Sequence, residues 1–234
     1  MFDSILASES VQEALRILQT EFPLAIWETF YVTILSTLFA SIIGLPLGVL
    51  VTVGGRDGIL PLPKWLMTFL DVVINLLRSV PFLILMIMVI PLTRLIVGTP
   101  VGTVASIVPL TIAAFPFIAR LVESSLREVS PNIIEAAQSM GATPFQVIVK
   151  VLIPESVPSL ISNGTIAITT ILGYSAMSGI IGGGGLGKIA INYGYYRYKT
   201  LVMILAVILL IIMVQVFQSL GTYLVKKLDR RSFD

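Results

Sequence analysis

The stretch that decides the fold is Thr200–Leu224, TLVMILAVILLIIMVQVFQSLGTYL, which carries no charged side chain. The hydrocarbon core of a bilayer is about 30 Å thick and requires about 20 consecutive apolar residues in a helix. Because unpaired backbone groups are costly in lipid, such a stretch predicts a membrane-spanning helix. A mean hydropathy of +0.98 for the chain indicates that this is not the only apolar segment.

Four further apolar stretches predict four more spans. They lie at about Trp27–Val53, Lys64–Val97, Val104–Val122 and Val157–Ala176. The second of these is too long for one perpendicular helix and contains Pro81 and Pro91, so tilt, a kink or an extension beyond the membrane is expected. The predicted fold is therefore an all-α polytopic membrane protein with about five transmembrane helices.

The residue types that most often carry catalysis are missing from this chain. It has no Cys and no His, so it lacks a thiol nucleophile, the commonest metal ligand and the commonest acid–base group. Its formal net charge of +2 is too small to indicate a nucleic-acid partner. The composition predicts a protein that is not an enzyme and holds no cofactor or metal. The remaining carboxylates keep an integral membrane enzyme open as an alternative.

The distribution of basic residues predicts the orientation of the chain. No basic start followed by an apolar core precedes the first span, so a signal peptide is not expected. Alternate connecting segments differ in Lys and Arg content, and the richer set is expected in the cytosol. The richer set is Arg56, Lys64, Arg120, Arg127, Lys150, Lys226, Lys227, Arg230 and Arg231, against Arg16, Arg94, Lys188, Arg197 and Lys199. We expect an extracytosolic tail at residues 1–22, a transmembrane domain at 23–225 and a cytosolic basic tail at 226–234.

Between the third and fourth spans, Glu135–Pro154 reads EAAQSMGATPFQVIVKVLIP. A helix is expected to start near Ser130 and Pro131 and to end at Gly141, since glycine tolerates the left-handed conformation of a helix end. Thr143 and Pro144 then start a second helix, with one apolar face. The charge distribution places this segment, residues 130–154, in the cytosol as a pair of short helices joined by a bend.

The composition of this segment favours contact with another protein. A helix lying on lipid headgroups is normally rich in Lys and Arg, whereas this segment has no basic residue before Lys150. Small side chains beside a carboxylate suit a cleft on a partner. The predicted contact residues are Glu135, Ala136, Ala137, Met140, Gly141, Ala142, Thr143 and Pro144.

The glycine run Gly182–Gly187 satisfies G-x-G-x-x-G and precedes Lys188. Phosphate-binding loops require a preceding strand, and the P-loop also requires Ser or Thr after its Lys, where this chain has Ile189. We therefore predict a close-packed turn in which glycines permit backbone approach. A part in shaping the outer gate or in receiving a partner stays open.

Polar residues within the spans form two candidate sites. Asp71, Asn75 and Arg78 share one face of the second span, and a structural pairing of helices or a place on a translocation path would explain them. The second candidate is a pore lining or gate on the fourth span, formed by Thr165, Thr169, Gly173, Tyr174 and Met177. Threonine bonding to its own helix is the alternative for this second site.

The segment after Ser130 resembles the EAA signature of ABC importer permeases. The matching positions are Glu135, Ala136, Ala137, Gly141, Val151, Ile153 and Pro154. The stretches RSVPF at 78–82, IPLTR at 90–94, IVPLT at 107–111, PFIAR at 116–120, GATP at 141–144, GYSAM at 173–177 and GGLG at 184–187 resemble permease subunits of bacterial methionine ABC importers.

The resemblance implies a homodimer in the bacterial inner membrane, with two cytosolic ATPase subunits docked on the signature helices. An extracytosolic binding protein would deliver methionine, and ATP hydrolysis on the separate subunits would power its import into the cytosol. The same machine with another amino acid or a small peptide as cargo is the first alternative. An integral membrane enzyme and a passive channel are the others.

Overall fold

The structure is a computed structural model that describes residues 9–55 and 58–228, and this part of the chain is helical with no strands. The helices of its first half are α1 (Glu9–Thr20), α2 (Phe22–Val53), α3 (Lys64–Ser79), α4 (Phe82–Met88), α5 (Ile90–Val97) and α6 (Ile107–Arg127). Those of its second half are α7 (Pro131–Ser139), α8 (Pro144–Val147), α9 (Ile153–Ser178), α10 (Gly185–Ile189) and α11 (Thr200–Leu228). Arg56, Arg230 and Arg231, which entered the charge count, lie outside the described residues.

The described residues contain 4 helical segments long and apolar enough to cross a membrane. They are Phe22–Val53, Ile107–Arg127, Pro144–Ile181 and Thr200–Leu228. A further broken pair, α3 with α4, raises the number to 5 when it is counted as one span. These spans agree with the predicted fold.

The two prolines of the predicted second span act differently. Val80 is extended, with φ −79° and ψ 127°, because a residue before proline avoids the helical conformation. The kink expected at Pro81 is therefore a break between α3 and α4. Pro91 lies in the first turn of α5, where its missing N–H costs no hydrogen bond. The prediction of one span over Lys64–Val97 is thus replaced by three helices.

One compact unit combines the described residues of Met1–Thr37 with Phe82–Thr111 and Ile168–Val216. Its main apolar cluster joins four helices through Ala14, Ile17, Phe22, Ala25, Leu186, Ile189, Val202 and Ala206. Lys199 pairs with Glu13 of α1, and the Tyr193 hydroxyl donates a hydrogen bond to Glu21. This bond raises the pKa of Tyr193 above its ordinary value. Residues of the predicted N-terminal tail are therefore an integral part of this unit.

The second compact unit combines Leu38–Pro81, Ile112–Ala167 and the described residues of Phe217–Asp234. Val51, Ile74 and Ala119 form its buried apolar cluster. Close approach of α2 and α6 depends on glycine, because a Cβ at Gly48 would lie 2.5 Å from the carbonyl oxygen of Ala119. Small residues thus allow two helices to pack at backbone distance.

Candidate functional site

Residues 130–154, which we call the signature segment, begin with α7. Pro131 occupies the first turn after Ser130, as predicted, although the Ser130 side chain makes no capping hydrogen bond. The helix ends at Gly141, whose φ of +84° is the left-handed conformation expected there. The amide N–H of Gly141 donates to the carbonyl oxygen of Gln138 at 2.9 Å, which closes the last turn. The predicted bend is therefore present.

Thr143 begins the second helix through a reciprocal capping box. The Thr143 N–H donates to Gln146 Oε1 at 2.9 Å, and the Gln146 N–H donates to Thr143 Oγ1 at 3.4 Å. The two bonds satisfy amides that a helix start otherwise leaves unpaired. The second helix was predicted as a short separate element, and in this respect the structure differs. It continues through a π-helical turn, Ile148–Leu152, directly into α9.

Large apolar side chains of this segment are exposed, and we call them the signature surface: Ile133, Met140, Phe145 and Val149. Met140 is 82% exposed and Phe145 is 74% exposed. The predicted contact residues Glu135, Ala136, Gly141, Thr143 and Pro144 are also exposed, and Ala142 is half-buried. The segment therefore presents apolar groups that the described residues leave uncovered.

Ala137 is a correction to the predicted contact set. Its side chain is only 5% exposed, and Val147 and Leu152 of the following turns are also buried. The carbonyl oxygen of Ala137 accepts a hydrogen bond from the Ala142 N–H at 3.1 Å. The side chain of Ala137 therefore faces the inside of the segment.

A cavity of about 370 Å³ lies beside α7 in the second unit. Its lining includes Thr52, Arg127, Ile134, Glu135 and Gln138. Arg127 is engaged by Glu123, with the Arg127 Nη2 atom 2.9 Å from Glu123 Oε1. Glu135, which the sequence predicts as a contact residue, is thus both exposed and beside a cavity.

The intramembrane polar cluster is assembled differently from its prediction. Arg120 of α6 donates to Asp71 Oδ1 at 2.7 Å and to Asn75 Oδ1 at 3.2 Å, while Arg78 of α3 is exposed. Arg120 also pairs with Glu123 at 2.6 Å. The basic partner of Asp71 is therefore on another helix, α6. This arrangement favours the structural pairing of helices over a place on a translocation path.

The five candidate pore residues of α9 have different surroundings. Thr165 donates to the carbonyl oxygen of Ile161 at 2.9 Å and lies against Gly221 of α11. Met177 is 44% exposed, and beyond the adjoining backbone of α9 no described residue has an atom within 4 Å of a Cβ position at Gly173. Each step of four residues turns a helix by about 40°, so positions 165 and 177 are about 120° apart.

Two further members of that set have other surroundings. Tyr174 stacks on Phe82 with ring centroids 4.5 Å apart, and Thr169 is half-buried. Self-bonding, the alternative considered for the threonines, is what Thr165 does. Gly173 and Met177 remain as candidates for a pathway.

The glycine run Gly182–Gly187 is closely packed, as predicted, and we call it the glycine turn. Its first three residues connect the end of the preceding helix to α10, and its last three begin α10. A Cβ at Gly187 would lie 2.1 Å from the carbonyl oxygen of Ala176, so no side chain fits there. Glu28 of α2 accepts a hydrogen bond from the Gly185 N–H at 2.7 Å and another from the Thr103 hydroxyl at 2.8 Å. Sequence reasoning missed Glu28. Its partner is 157 residues away, and no local pattern marks it.

The chain is similar to known membrane transport proteins. The family of binding-protein-dependent transport system inner membrane components matches residues 44–231. The chain therefore belongs to this family and is a multi-pass membrane subunit of a transport system.

Relatives within the family narrow the likeness. The probable D-methionine transport system permease protein MetI of Vibrio cholerae is 50% identical over 208 residues, 88% of this chain and 92% of the relative. The D-methionine transport system permease protein MetI of Escherichia coli K12 is 48% identical over 154 residues, 66% of this chain and 70% of the relative.

Solved structures agree with this likeness. A chain of the MetNI methionine ABC transporter in an inward-facing conformation superimposes with a TM-score of 0.87 at 43% identity, covering 95% of this chain and 100% of that chain. An amino acid ABC transporter superimposes with a TM-score of 0.72 at 18% identity, which shows the common fold alone.

Proposed function

We propose that this chain is the permease subunit of an ATP-driven importer that moves methionine into the cytosol. Two copies of the chain form the pore, two cytosolic ATPase subunits bind them, and an extracytosolic binding protein delivers the cargo. The chain itself does not hydrolyse ATP.

The cargo assignment is carried by one observation. Identity of 50% to a probable D-methionine permease extends over 88% of this chain, so the likeness is not limited to the signature segment. The likeness at 43% identity to a chain of a methionine ABC transporter supports the same cargo.

The ATPase docking site is the signature surface. Met140 and Phe145 are the most exposed apolar residues of this segment, and large exposed apolar groups commonly mark a protein contact. Gly141 lies between them in the sequence, and, apart from its chain neighbours, no described residue has an atom within 4 Å of its Cβ position. A partner can therefore approach the backbone closely at the bend.

The continuous helical path from α8 to α9 is suited to transmitting force. The capped start at Thr143 continues through Ile148–Leu152 into α9, and Pro144–Ile181 behaves as one 38-residue apolar segment. ATP binding would draw the two ATPase subunits together and move α8. A helix resists bending, so α9 moves with it and opens the pore outward; hydrolysis resets it.

The proposed orientation places the N-terminus outside and the C-terminus in the cytosol. The chain has no Cys, so single substitutions supply unique labels. In closed right-side-out vesicles, a membrane-impermeant maleimide should label Tyr196→Cys directly and Met140→Cys only after permeabilisation. Both side chains are exposed in the structure. The reverse labelling pattern contradicts the orientation.

The transport function is tested with the chain co-expressed with its ATPase and reconstituted in liposomes with the binding protein. Labelled methionine should accumulate only with ATP inside the liposomes. Unlabelled L- and D-methionine should compete, and unrelated amino acids should not. Competition by another amino acid or a short peptide identifies a different cargo for the same machine. Accumulation down a gradient without ATP identifies a channel.

A further inference from the structure

Glu28 is a half-buried carboxylate on an apolar helix, and the proposed transport cycle gives it no role. Its two oxygens have different partners: the Thr103 hydroxyl donates to Oε1 at 2.8 Å, and the Gly185 amide donates to Oε2 at 2.7 Å. The adjacent Thr29 hydroxyl accepts from the Leu186 amide at 2.8 Å. Consecutive residues of α2 therefore hold consecutive backbone amides of the glycine turn.

Leu186 is the only residue of Gly182–Gly187 with a side chain that could fix the backbone of the turn. A Cβ at Gly184 would lie 2.0 Å from Thr103 Oγ1 and 2.5 Å from Glu28 Oε2, so side chains are excluded where the segments meet. Gly182 and Gly185 have φ values of +87° and +81°. Glycine loses more conformational freedom on folding than other residues. External hydrogen bonds are thus required to select one conformation.

The turn is also the direct continuation of α9. The Gly183 N–H donates to the carbonyl oxygen of Ser178, the last residue of that helix, at 2.9 Å. The Gly102 N–H donates to the carbonyl oxygen of Gly182 at 2.9 Å. Whatever fixes residues 182–186 therefore fixes the C-terminal end of α9, which carries Met177.

We propose that Glu28 is a positioning residue for transport: its carboxylate, with Thr103, braces the glycine turn and so holds the C-terminal end of α9 in place. The inference rests on the proposed function for its transport consequence only. The brace acts through hydrogen-bond geometry and does not require the negative charge. A glutamine satisfies the same geometry, because its oxygen accepts from Gly185 and its amide donates to the Thr103 hydroxyl oxygen.

The brace itself is measured by hydrogen exchange of the full transporter. Glu28→Ala should speed exchange in residues 182–189 about tenfold, since local opening governs amide exchange. Glu21→Ala is the matched control, because Glu21 accepts from the Tyr193 hydroxyl and not from the turn backbone. Unchanged exchange in Glu28→Ala overturns the proposal, whatever the chain transports.

The transport consequence is measured as methionine uptake at equal amounts of assembled transporter. Glu28→Ala should lower uptake about tenfold, because the two donors lose their acceptor. Glu28→Gln should keep uptake within about twofold. Thr103→Val, which removes one donor with little change of shape, should have an intermediate effect and serves if Glu28→Ala fails to assemble. Loss of uptake in Glu28→Gln with normal exchange shows that the charge acts directly and contradicts the brace.

A covalent brace supplies the decisive arm. The Cβ position of Gly182 lies 3.4 Å from Val101 Cβ, close to the spacing of native disulfides. Val101→Cys with Gly182→Cys should restore uptake to Glu28→Ala under oxidising conditions, and reduction should abolish the rescue. The same two cysteine substitutions in a chain that keeps Glu28 control for the backbone strain of a side chain at Gly182. The positioning role is overturned by a disulfide that forms without rescuing Glu28→Ala, provided that the chain with Glu28 and the same disulfide stays active. No uptake in the unaltered transporter instead counts against the proposed function.

Discussion

Gly141→Leu should strongly reduce ATP-dependent methionine uptake. Gly141 has a φ of +84°, which disfavours any residue with a side chain by about 1–2 kcal/mol. Among the described residues other than its chain neighbours, none has an atom within 4 Å of its Cβ position, so no steric clash with them adds to that cost. A domain stability of about 5–15 kcal/mol tolerates such a loss. The folded chain should therefore persist, with a leucine projecting from the bend into the docking interface.

Gly98 is a closely matched control for this substitution. It also has a φ of +84°, it also ends a helix, and its Cβ position has no atom within 4 Å from the described part of the chain beyond its neighbours. Gly98→Leu has the same backbone cost of about 1–2 kcal/mol and alters a residue outside the signature segment. The difference between the two variants isolates contact with the ATPase from backbone strain.

The assay compares ATP-dependent methionine uptake and ATPase co-purification at equal amounts of membrane-inserted chain. Gly141→Leu should lower uptake by about tenfold or more, which corresponds to a loss of at least about 1.4 kcal/mol of coupling. Gly98→Leu should stay within about twofold of the unaltered chain. Equal loss in both variants would assign the effect to strain, and normal uptake in Gly141→Leu would refute the docking role.

Two further predictions use pairs of substitutions. Phe145→Asp should reduce ATPase co-purification with little change in thermal stability, because Phe145 is 74% exposed, whereas Val147→Asp should unfold the segment, because Val147 is 0% exposed. Co-purification unaffected by Phe145→Asp removes Phe145 from the interface. Arg120→Ala should lower unfolding stability in detergent by about 1–3 kcal/mol, a value reduced from that of a fully buried pair because Asp71 is 44% exposed. Arg78→Ala should have little effect, and equal destabilisation by both contradicts the assignment of Arg120 as the pairing residue.

The fold followed from the sequence because its main signals are local. Apolar length predicts spans, and proline and glycine mark their ends; the break at Pro81 and the left-handed Gly141 are examples. The capped start at Thr143 is also local, since its partner is three residues away. The predicted second short helix starts where expected, but it has no separate C-terminal end because it continues into α9. Pro154 and Pro158 both lie within α9, which follows directly on the π-helical turn at Ile148–Leu152.

Contacts between distant segments were beyond the sequence. The small size of Ala137 was compatible with a partner contact and with internal packing, and burial decides for packing. Regular spacing grouped Thr165 with Met177, but the rotation of the helix separates them. Arg78 shares a predicted helix face with Asp71, but Arg120 is the base that reaches it.

By itself, the sequence determined that this chain spans a membrane by helices, that it contains no Cys or His for chemistry, and that residues 130–154 bend at Gly141. These properties depend on composition and on residues a few positions apart. Only the tertiary structure decided which side chains of that segment are exposed, which arginine pairs with Asp71, and that Glu28 holds the glycine turn. Such pairings depend on the packing of helices, because a single carboxylate has the same sequence signal wherever its partner lies.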